Sequence, residues 1–330
     1  MSNSRGAQLR SYLELIRPPA LFTAAADSLT GWAWAGAVIV SPDHLSAWYV
    51  PVLLILISGS VYAAGMCTND LFDLEEDRRD RPQRPLPSAR IPVASAWALA
   101  LTLQASALGV ALIMSWALYQ QLITPLFWFV LATVSATYLY NGALKNTFIA
   151  PLIMGACRWG NFWIGGAAYL TINADIAMTE SLVATSIEAP LFGGLVISLG
   201  TLVYVTTLTA LSRFEVQTTP NAYSSGARWA ALILCISAAF PLIGIGLGIL
   251  EWGALSAICV SLWIAKRTWP LLCGVDTSAT QVQRGVSAGI RGVALVNVAL
   301  CLGLEGWWTA GLIVIMAWSA GHIGRWFYAT

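Results

Sequence analysis

Long apolar runs separated by polar segments most strongly constrain what this chain can fold into. An α-helix needs about 20 apolar residues to cross the hydrocarbon core of a membrane. Ten runs of roughly this kind lie near residues 20–40, 48–68, 93–115, 121–140, 148–170, 190–212, 227–249, 251–265, 286–304 and 307–325. The eighth run is short and the ninth begins close to Arg291, so the pattern predicts an all-α, polytopic transmembrane helix bundle of nine or ten spans.

The composition excludes an ordinary soluble domain. Of the 330 residues, 58% are hydrophobic and 10% are charged, whereas about a quarter of the residues of a soluble domain are charged. No soluble domain, fixed-period repeat or low-complexity tract interrupts the apolar runs. We therefore expect a single transmembrane domain over residues 1–330, with a basic cytoplasmic lead-in at residues 1–17.

The positive charges predict the orientation of the chain. Lysines and arginines concentrate in alternate connections, around 1–17, 69–92, 141–148, 213–228 and 266–291, and the intervening connections carry acidic residues but no lysine or arginine. Positive residues accumulate on the cytoplasmic side of a membrane. The pattern predicts an integral, multi-pass protein with a cytoplasmic N-terminus, most simply in a bacterial inner membrane. Ten spans also place Arg325 inside, which favours ten over nine.

An acidic stretch follows the second apolar run. Asp70, Asp73 and Asp77 stand at i, i+3 and i+7, so on a helix they share one face. Carboxylates gathered in this way repel one another and require a divalent cation, arginines or bulk water nearby. Five arginines follow within the next thirteen residues, 78–90. The alternative interpretation is a solvated helix beside a positively charged loop, but acidic clusters do not contribute to positive-inside topology.

This stretch carries a resemblance to a known family. The pattern Asn-Asp-x-x-Asp-x-x-x-Asp at 69–77, followed by Arg-Pro-Leu-Pro-Ser at 84–88, resembles the first aspartate-rich motif of the UbiA superfamily of intramembrane prenyltransferases. Leu-Ile-Arg-Pro at 15–18 and Tyr-Leu-Tyr at 138–140 with Lys145 resemble other motifs of that family. The resemblance covers residues 12–165 well, and the remainder only by its pattern of spans.

The resemblance implies a central cavity that opens to the cytoplasm, where Mg²⁺ holds the diphosphate of a prenyl donor. It implies magnesium ligands at Asn69, Asp70, Asp73 and Asp77. It implies catalytic roles for Asp73, Asp77 and Lys145, and Arg213 is a further catalytic candidate for the reason given below. Substrate contacts are expected from Arg17, Arg84, Tyr140, Arg158, Asn161 and Glu215. Ordinary positive-inside charge is the alternative for Arg17 and Lys145, and anchoring at the membrane interface is the alternative for Tyr140.

The second half departs from the family pattern. Relatives carry a second aspartate-rich motif after the sixth span, but here the segment 211–220 retains only Glu215, next to Arg213. Either Arg213 replaces a second metal as a fixed positive charge on the diphosphate, with Glu215 orienting it, or the site has kept binding and lost transfer. The first explanation is favoured because the first motif is complete.

Two polar residues lie inside the fifth run. Arg158 and Asn161 share one helix face, and an arginine within a membrane lines a cavity or pairs with an acid. The functional interpretation is a substrate contact, and the alternatives are a snorkelling arginine or a structural pair with Asp27. With the segment 211–216, these residues resemble the EboC-like branch of the superfamily, which implies a role in secondary metabolism.

The sequence therefore predicts a Mg²⁺-dependent prenyltransferase that joins a prenyl diphosphate to a small acceptor molecule. Membrane lipid is an expected partner because the arginines at 78–90 attract anionic lipid, and nothing indicates nucleic acid. Two alternatives remain open: a non-catalytic binder or exporter of a prenylated or aromatic metabolite, and a terpene cyclase of the same family. An ion channel or carrier is disfavoured because no pair of broken helices marks a path.

Overall fold

The computed structural model describes residues 2–39, 49–172, 188–215, 223–274 and 278–328. All regular secondary structure in these ranges is helical, which confirms the predicted all-α class. The α-helices of the described ranges are α1 (Ser2–Ile16), α2 (Pro18–Ile39), α3 (Tyr49–Phe72), α4 (Leu74–Asp80), α5 (Val93–Tyr119), α6 (Pro125–Tyr138), α7 (Ala150–Ile172), α8 (Glu188–Ser212), α9 (Tyr223–Ala238), α10 (Pro241–Gly246), α11 (Ser256–Leu272), α12 (Ala279–Gly303) and α13 (Trp307–Tyr328). A π-helical segment (Leu139–Leu144) follows α6, and 3₁₀ turns cover Arg213–Glu215 and Trp252–Leu255.

The predicted apolar runs correspond to helices. Each of the ten overlaps one of α2, α3, α5 to α9 and α11 to α13. Four segments of the described ranges are long and apolar enough to cross a membrane: Tyr49–Phe72, Val93–Ala117, Leu191–Glu215 and Ala279–Gly303. These four support a transmembrane bundle, and the count of nine or ten spans stays a prediction.

The structure differs from the prediction at the seventh run, 227–249. Helix α9 ends at Ala238 and α10 begins at Pro241. Proline lacks a backbone N–H, so it begins a helix without leaving a donor unpaired but does not continue one easily. Before it, the Ala239 amide donates to the carbonyl oxygen of Ile236, three residues back, at 3.0 Å. The chain therefore turns where a continuous span was expected.

Helices that follow one another in the sequence pack side by side, and α2 packs against both early and late helices of the chain. Helix α2 contacts α3, α7, α8, α12 and α13, and α7 contacts α2, α6 and α8. Helices from both halves of the chain therefore meet at α2 and α7, which lie at the centre of the bundle.

The contact between α2 and α7 is so close that their backbones meet at two glycines. A Cβ atom on Gly165 would lie 1.7 Å from the carbonyl oxygen of Ser28, and one on Gly31 would lie 1.9 Å from that of Phe162. Any side chain at either position therefore collides with backbone. Small residues at helix contacts are typical of membrane bundles, where close van der Waals packing drives association.

Aromatic side chains fill the core beside these glycines. Trp34 is fully buried, and its ring centroid lies 5.9 Å from that of Phe162 and 5.4 Å from that of Trp163. The buried Tyr204 of α8 donates its hydroxyl to the carbonyl oxygen of Gly289 in α12 at 2.8 Å. That bond satisfies the buried phenol and joins α8 to α12.

Replacing Gly165 by alanine should destabilise the bundle by at least about 1–3 kcal/mol, because the added methyl forces α2 and α7 apart. The measurement is the thermal unfolding of the purified protein in detergent. Gly109→Ala in α5 is the matched control, since its Cβ would meet no atom within 4 Å. Equal unfolding temperatures for the two variants would contradict the close contact.

Candidate functional site

Three aspartates lie where α3 gives way to α4. Asp70 is in the last turn of α3, Asp73 is the single residue between the helices, and Asp77 is in α4. The Asp73 amide donates to the Asn69 carbonyl oxygen at 3.0 Å, and the Asp77 amide donates to the Asp73 carbonyl oxygen at 2.8 Å. Helical hydrogen bonding thus continues across the junction, although Asp73 itself has φ −85° and ψ 3°. The predicted acidic face is retained, with a local distortion at Asp73.

Arginines balance the two buried aspartates. Arg17 Nη2 lies 2.7 Å from Asp70 Oδ1. Arg84 Nη1 lies 2.6 Å from Asp77 Oδ2 and 3.5 Å from Asp70 Oδ1, so it bridges both carboxylates. Arg81 adds a longer contact of 3.8 Å to Asp77 Oδ1. Because the side chains of Asp70 and Asp77 are only 5% and 3% exposed, these arginines offset the mutual repulsion and the desolvation of the carboxylates.

Asp73 has a lysine and an amide as its partners. Lys145 Nζ forms an ion pair with Asp73 Oδ2 and donates to Asn69 Oδ1 at 3.0 Å. The Asn69 amide nitrogen donates to Asp73 Oδ2 at 3.1 Å and to Asp70 Oδ1 at 3.3 Å, so it links the two carboxylates. Asp73 is 14% exposed and is the most accessible of the three aspartates.

A π-helical segment brings the lysine to this cluster. Leu139–Leu144 ends directly before Lys145, and Asn141 within it is buried. Asn141 Nδ2 donates to Thr68 Oγ1 at 2.9 Å and to the carbonyl oxygen of Gly65 at 3.1 Å, which fastens the segment to α3. Such π-helical turns are rare and occur frequently at functional sites. The sequence motifs did not single out Asn141, although a lone asparagine after an apolar run was the available signal.

Tyr140, Arg213 and Glu215 also lie close to the cluster. Arg213 Nη2 donates to the carbonyl oxygens of Lys145 at 3.1 Å and Thr147 at 2.6 Å. The Tyr140 hydroxyl lies within electrostatic range of Arg213 and Asp73, and Glu215 lies within range of Arg81. The segment after α8 therefore approaches the first motif, even though it lacks a second acidic cluster.

A buried leucine holds the loop that carries Arg84. Leu86, within the Arg-Pro-Leu-Pro-Ser segment, is 4% exposed and packs with Leu15 of α1 and Leu71 of α3 in a small apolar cluster. The backbone amide of Ser88 and its hydroxyl both donate to the Arg84 carbonyl oxygen, at 3.0 Å and 2.6 Å. The motif thus combines the two ionic contacts of Arg84 with an apolar anchor and a tight turn.

Arg17 reaches Asp70 from an unfavourable backbone conformation. It is the single residue between α1 and α2, with φ 52°. Residues with a Cβ atom rarely adopt this left-handed region, which costs of the order of 1–2 kcal/mol. Backbone hydrogen bonds from the Arg17 amide to the Leu13 carbonyl oxygen at 3.1 Å and from the Ala20 amide to the Arg17 carbonyl oxygen at 3.0 Å fix the junction.

The structure does not bring Arg158 to the aspartates. Arg158 Nε lies 2.8 Å from Asp27 Oδ2, and its Nη2 donates to the Thr23 carbonyl oxygen at 2.7 Å. Asp27 is ten residues beyond Arg17, which is about 15 Å along a helix. The pair with Asp27, one of the predicted alternatives, is therefore formed, and a substrate contact by Arg158 stays a prediction.

Asn161 and Asn297 complete this buried network. Asn161 Nδ2 donates to the Ala24 carbonyl oxygen at 2.7 Å, and Asn297 Nδ2 of α12 donates to Asp27 Oδ1 at 2.8 Å. Arg158 Nη1 and the side-chain oxygens of both asparagines are buried without a hydrogen-bond partner among the described residues. The sequence analysis missed Asn297, whose signal was a single amide within an apolar run.

Comparison with known proteins identifies the family. The sequence profile of the UbiA prenyltransferase family matches residues 29–283, which is more than half of the chain.

The chain belongs to the UbiA prenyltransferase family.

One UbiA relative is the digeranylgeranylglyceryl phosphate synthase of Saccharolobus solfataricus, 31% identical over 170 residues, 50% of this chain and 54% of the relative. The chain thus spans about half the length of the curated relatives that it matches. The fold is similar to a UbiA homologue of Aeropyrum pernix K1, with TM-score 0.58 and 15% identity over 85% of this chain and 96% of that one. A UbiA homologue of Archaeoglobus fulgidus bound to GPP and Mg²⁺ gives TM-score 0.51 and 17% identity over 84% and 99%.

The residues of this UbiA family member suit magnesium in their chemistry. Asn69, Asp70, Asp73 and Asp77 offer hard oxygen donors, which Mg²⁺ prefers. Within the described ranges, however, no three Asp, Glu, His or Cys side chains are arranged as a metal site. The reason is visible in the contacts, since arginines or Lys145 lie against each carboxylate. Asp73 is the ligand that a metal would meet first, because its carboxylate is the most exposed.

Replacing Arg158 by methionine should cost about 3–5 kcal/mol, because it leaves the Asp27 carboxylate buried without a cation. Asp27→Asn combined with Arg158→Met should recover most of this loss, as measured by thermal unfolding in detergent. Failure of the double variant to recover would contradict the pair. The prenyl-transfer activity of the double variant then separates the two interpretations of Arg158. If Arg158 contacts the acceptor, the stable double variant loses transfer. If the pair with Asp27 is purely structural, the double variant retains transfer.

Proposed function

We propose that this chain transfers a prenyl group from a prenyl diphosphate to a small acceptor at the aspartate cluster. One observation carries the proposal: three carboxylates and four cations converge from four separate segments of the chain. Arg17 comes from the α1–α2 junction, Arg81 and Arg84 from the loop after α4, and Lys145 from the π-helical segment. Such a concentration of both charges matches a ligand that brings anions and a divalent cation together.

The chemistry assigned to the cluster is cleavage of an allylic C–O bond. The bonding electron pair leaves with the diphosphate, and the allylic carbon becomes cationic until the acceptor attacks it and loses a proton. Bound Mg²⁺, with Asn69, Asp73 and Asp77 as ligands and Asp70 supporting them, supplies charge neutralisation to the leaving group. Arg84 and Lys145 contribute the same effect from fixed positions, which requires no reorganisation during the reaction.

Arg213, Tyr140 and Glu215 are assigned to the edge of the same site. Arg213 keeps guanidinium nitrogens free of hydrogen bonds to the described residues, since only Nη2 is engaged. In the proposal it replaces the second metal of relatives as a fixed charge, Tyr140 donates to a phosphate oxygen, and Glu215 orients the neighbouring cations. Arg17 holds Asp70 and lies at the same end of the bundle.

The acceptor is proposed to bind deeper, near Arg158 and Asn161. Their buried and unpartnered Nη1 and Oδ1 atoms are what supports this placement. The named relatives are digeranylgeranylglyceryl phosphate synthases, so a small acceptor with a polar group is in keeping with the family. We retain the EboC-like branch and a role in secondary metabolism as a proposal, on the residues Arg158, Asn161, Arg213 and Glu215.

The finer topology is also a proposal. We propose one domain of ten spans over residues 1–330, with a cavity that opens to the cytoplasm, the N-terminus on that side, and placement in a bacterial inner membrane. The segregation of lysine and arginine supports it. A protease-cleavable tag at the N-terminus should be cut in inside-out vesicles and protected in intact spheroplasts. The reverse pattern would overturn the orientation.

A second candidate, a non-catalytic binder or exporter of a prenylated metabolite, is favoured by one observation. Each aspartate already has a protein cation against it, so the described cluster is balanced without a metal. A terpene cyclase would use the same ionisation without an acceptor. The experiment below separates the three.

Asp73→Asn and Asp77→Asn should each reduce release of diphosphate from prenyl diphosphates by at least about 100-fold, because each removes charge that positions the leaving group. Release is measured with purified protein, Mg²⁺, geranyl to geranylgeranyl diphosphate, and a panel of small acceptors. Chelation of Mg²⁺ should abolish it. Glu76→Gln, an exposed acid in the same helix, is the matched control and should retain full activity.

The outcomes distinguish the candidates. Release that requires an acceptor supports the transferase, and release with a cyclic hydrocarbon product and no acceptor supports the cyclase. No release by the wild type, together with retained binding of a prenyl diphosphate, supports the binder. Full activity of both aspartate variants would overturn the assignment of the site.

A further inference from the structure

A second, purely basic site lies between α11 and α12. A pocket of about 600 Å³ opens there, and its lining shares no residue with the aspartate cluster. Four of its lining residues are cations and none is acidic: Lys266, Arg267, Arg284 and Arg291. The remaining lining is polar or apolar, and includes Trp263 and Ser287.

The helical repeat explains why these cations face one another. On α11, Trp263, Lys266 and Arg267 stand at i, i+3 and i+4, and on α12, Arg284 and Arg291 are seven residues apart. Residues at these spacings share one helix face. Because α11 and α12 pack against each other, the two basic faces form the walls of one groove.

The cations of the groove lack the acidic partners that the cations of the aspartate cluster and Arg158 have. Among the described residues, no carboxylate oxygen lies within 4 Å of any of the four, whereas Arg17, Arg84, Lys145 and Arg158 all form ion pairs. The guanidinium of Arg267 instead lies 5.7 Å from the centroid of the Trp263 ring, a cation–π contact that holds it over the groove. Asp276, in the connection between the two helices, lies outside the described residues.

The position of Arg291 makes an unpaired groove costly. It lies twelve residues beyond the start of α12, which is about 18 Å along the helix, within a segment long and apolar enough to cross a membrane. Its side chain is exposed. An exposed arginine in such an apolar segment is unfavourable unless an anion or water meets it. Leu262 and Leu295 are 65% and 36% exposed, and each stands four residues from a groove cation, Lys266 or Arg291, so helical spacing places them on the same faces.

We propose that this groove binds a phosphate-bearing anion, with Arg284 and Arg291 on one wall and Lys266 and Arg267 on the other. Guanidinium groups bind phosphate oxygens through paired, charge-assisted hydrogen bonds. An anionic phospholipid fits because its acyl chains would lie along the apolar continuation of the groove. A soluble phosphate or diphosphate offers the same head-group chemistry. The site goes beyond the proposed transfer reaction and uses none of its residues.

The test compares anion binding by full-length variants in detergent. Binding is followed by the rise in unfolding temperature on titration with phosphatidylglycerol, phosphatidylcholine or inorganic diphosphate. Arg284→Gln/Arg291→Gln should weaken binding of the preferred anion by at least about ten-fold, since each cation near a membrane surface contributes about five-fold. Lys266→Gln/Arg267→Gln tests the opposite wall independently. The comparison variant is Arg78→Gln/Arg79→Gln, which removes the same charge from exposed positions in α4. Any loss in this variant reports anions attracted to the 78–90 segment, and the groove variants should lose more.

The anion arms separate the two sources. A preference for phosphatidylglycerol over phosphatidylcholine that both groove variants lose identifies a lipid head group. Diphosphate binding that the groove variants weaken more than the comparison variant does identifies a soluble phosphate. If both groove variants fold with the wild-type unfolding temperature and bind every anion as the wild type does, the proposal is overturned. An equal loss in the Arg78→Gln/Arg79→Gln variant would also overturn it, because the effect would then be net charge alone.

Discussion

The balance of charge around three aspartates at the end of one helix determines much of this structure. Asp70 and Asp77 are buried beside each other, and the low dielectric of such a position makes unpaired carboxylates very unfavourable. The chain meets this constraint with cations from the α1–α2 junction, the loop after α4 and the π-helical segment. Three otherwise unrelated connections are therefore fixed against α3. In the proposed function, the same gathered cations would meet the anionic part of the ligand.

A large part of this arrangement could be predicted from the sequence, because it depends on local spacing. The apolar runs predicted the helices, because each run is long and its apolar residues are nearly continuous. Asp70, Asp73 and Asp77 share a face because helical geometry alone places them there. The break before Pro241 was missed because an apolar run looks the same whether or not the helix through it is continuous. The π-helical segment was missed for a similar reason. Its marker in the sequence is Asn141, and the role of Asn141 becomes visible only through its hydrogen bond to Thr68 in α3.

Contacts between distant parts of the chain account for the remainder. Arg158 shares one helix face with Asn161, and the sequence shows this. The sequence does not show whether the guanidinium of Arg158 meets an acid, a ligand or the membrane interface. Asp27 in α2 and Asn297 in α12 are 270 positions apart, and only tertiary packing brings the Asn297 amide to the Asp27 carboxylate. The backbone contact at Gly31 and Gly165 is of the same kind, because glycine alone does not reveal which helix approaches it. Pairings of this type require the fold before they can be assigned.

The left-handed backbone of Arg17 has a consequence for how its ion pair is measured. Replacing Arg17 by glycine removes its ion pair with Asp70 and also the strain at φ 52°, because glycine adopts that conformation freely, so the junction relaxes. The relaxation returns of the order of 1–2 kcal/mol of stored backbone energy. The loss of stability in an Arg17→Gly variant therefore understates the attraction between the two side chains.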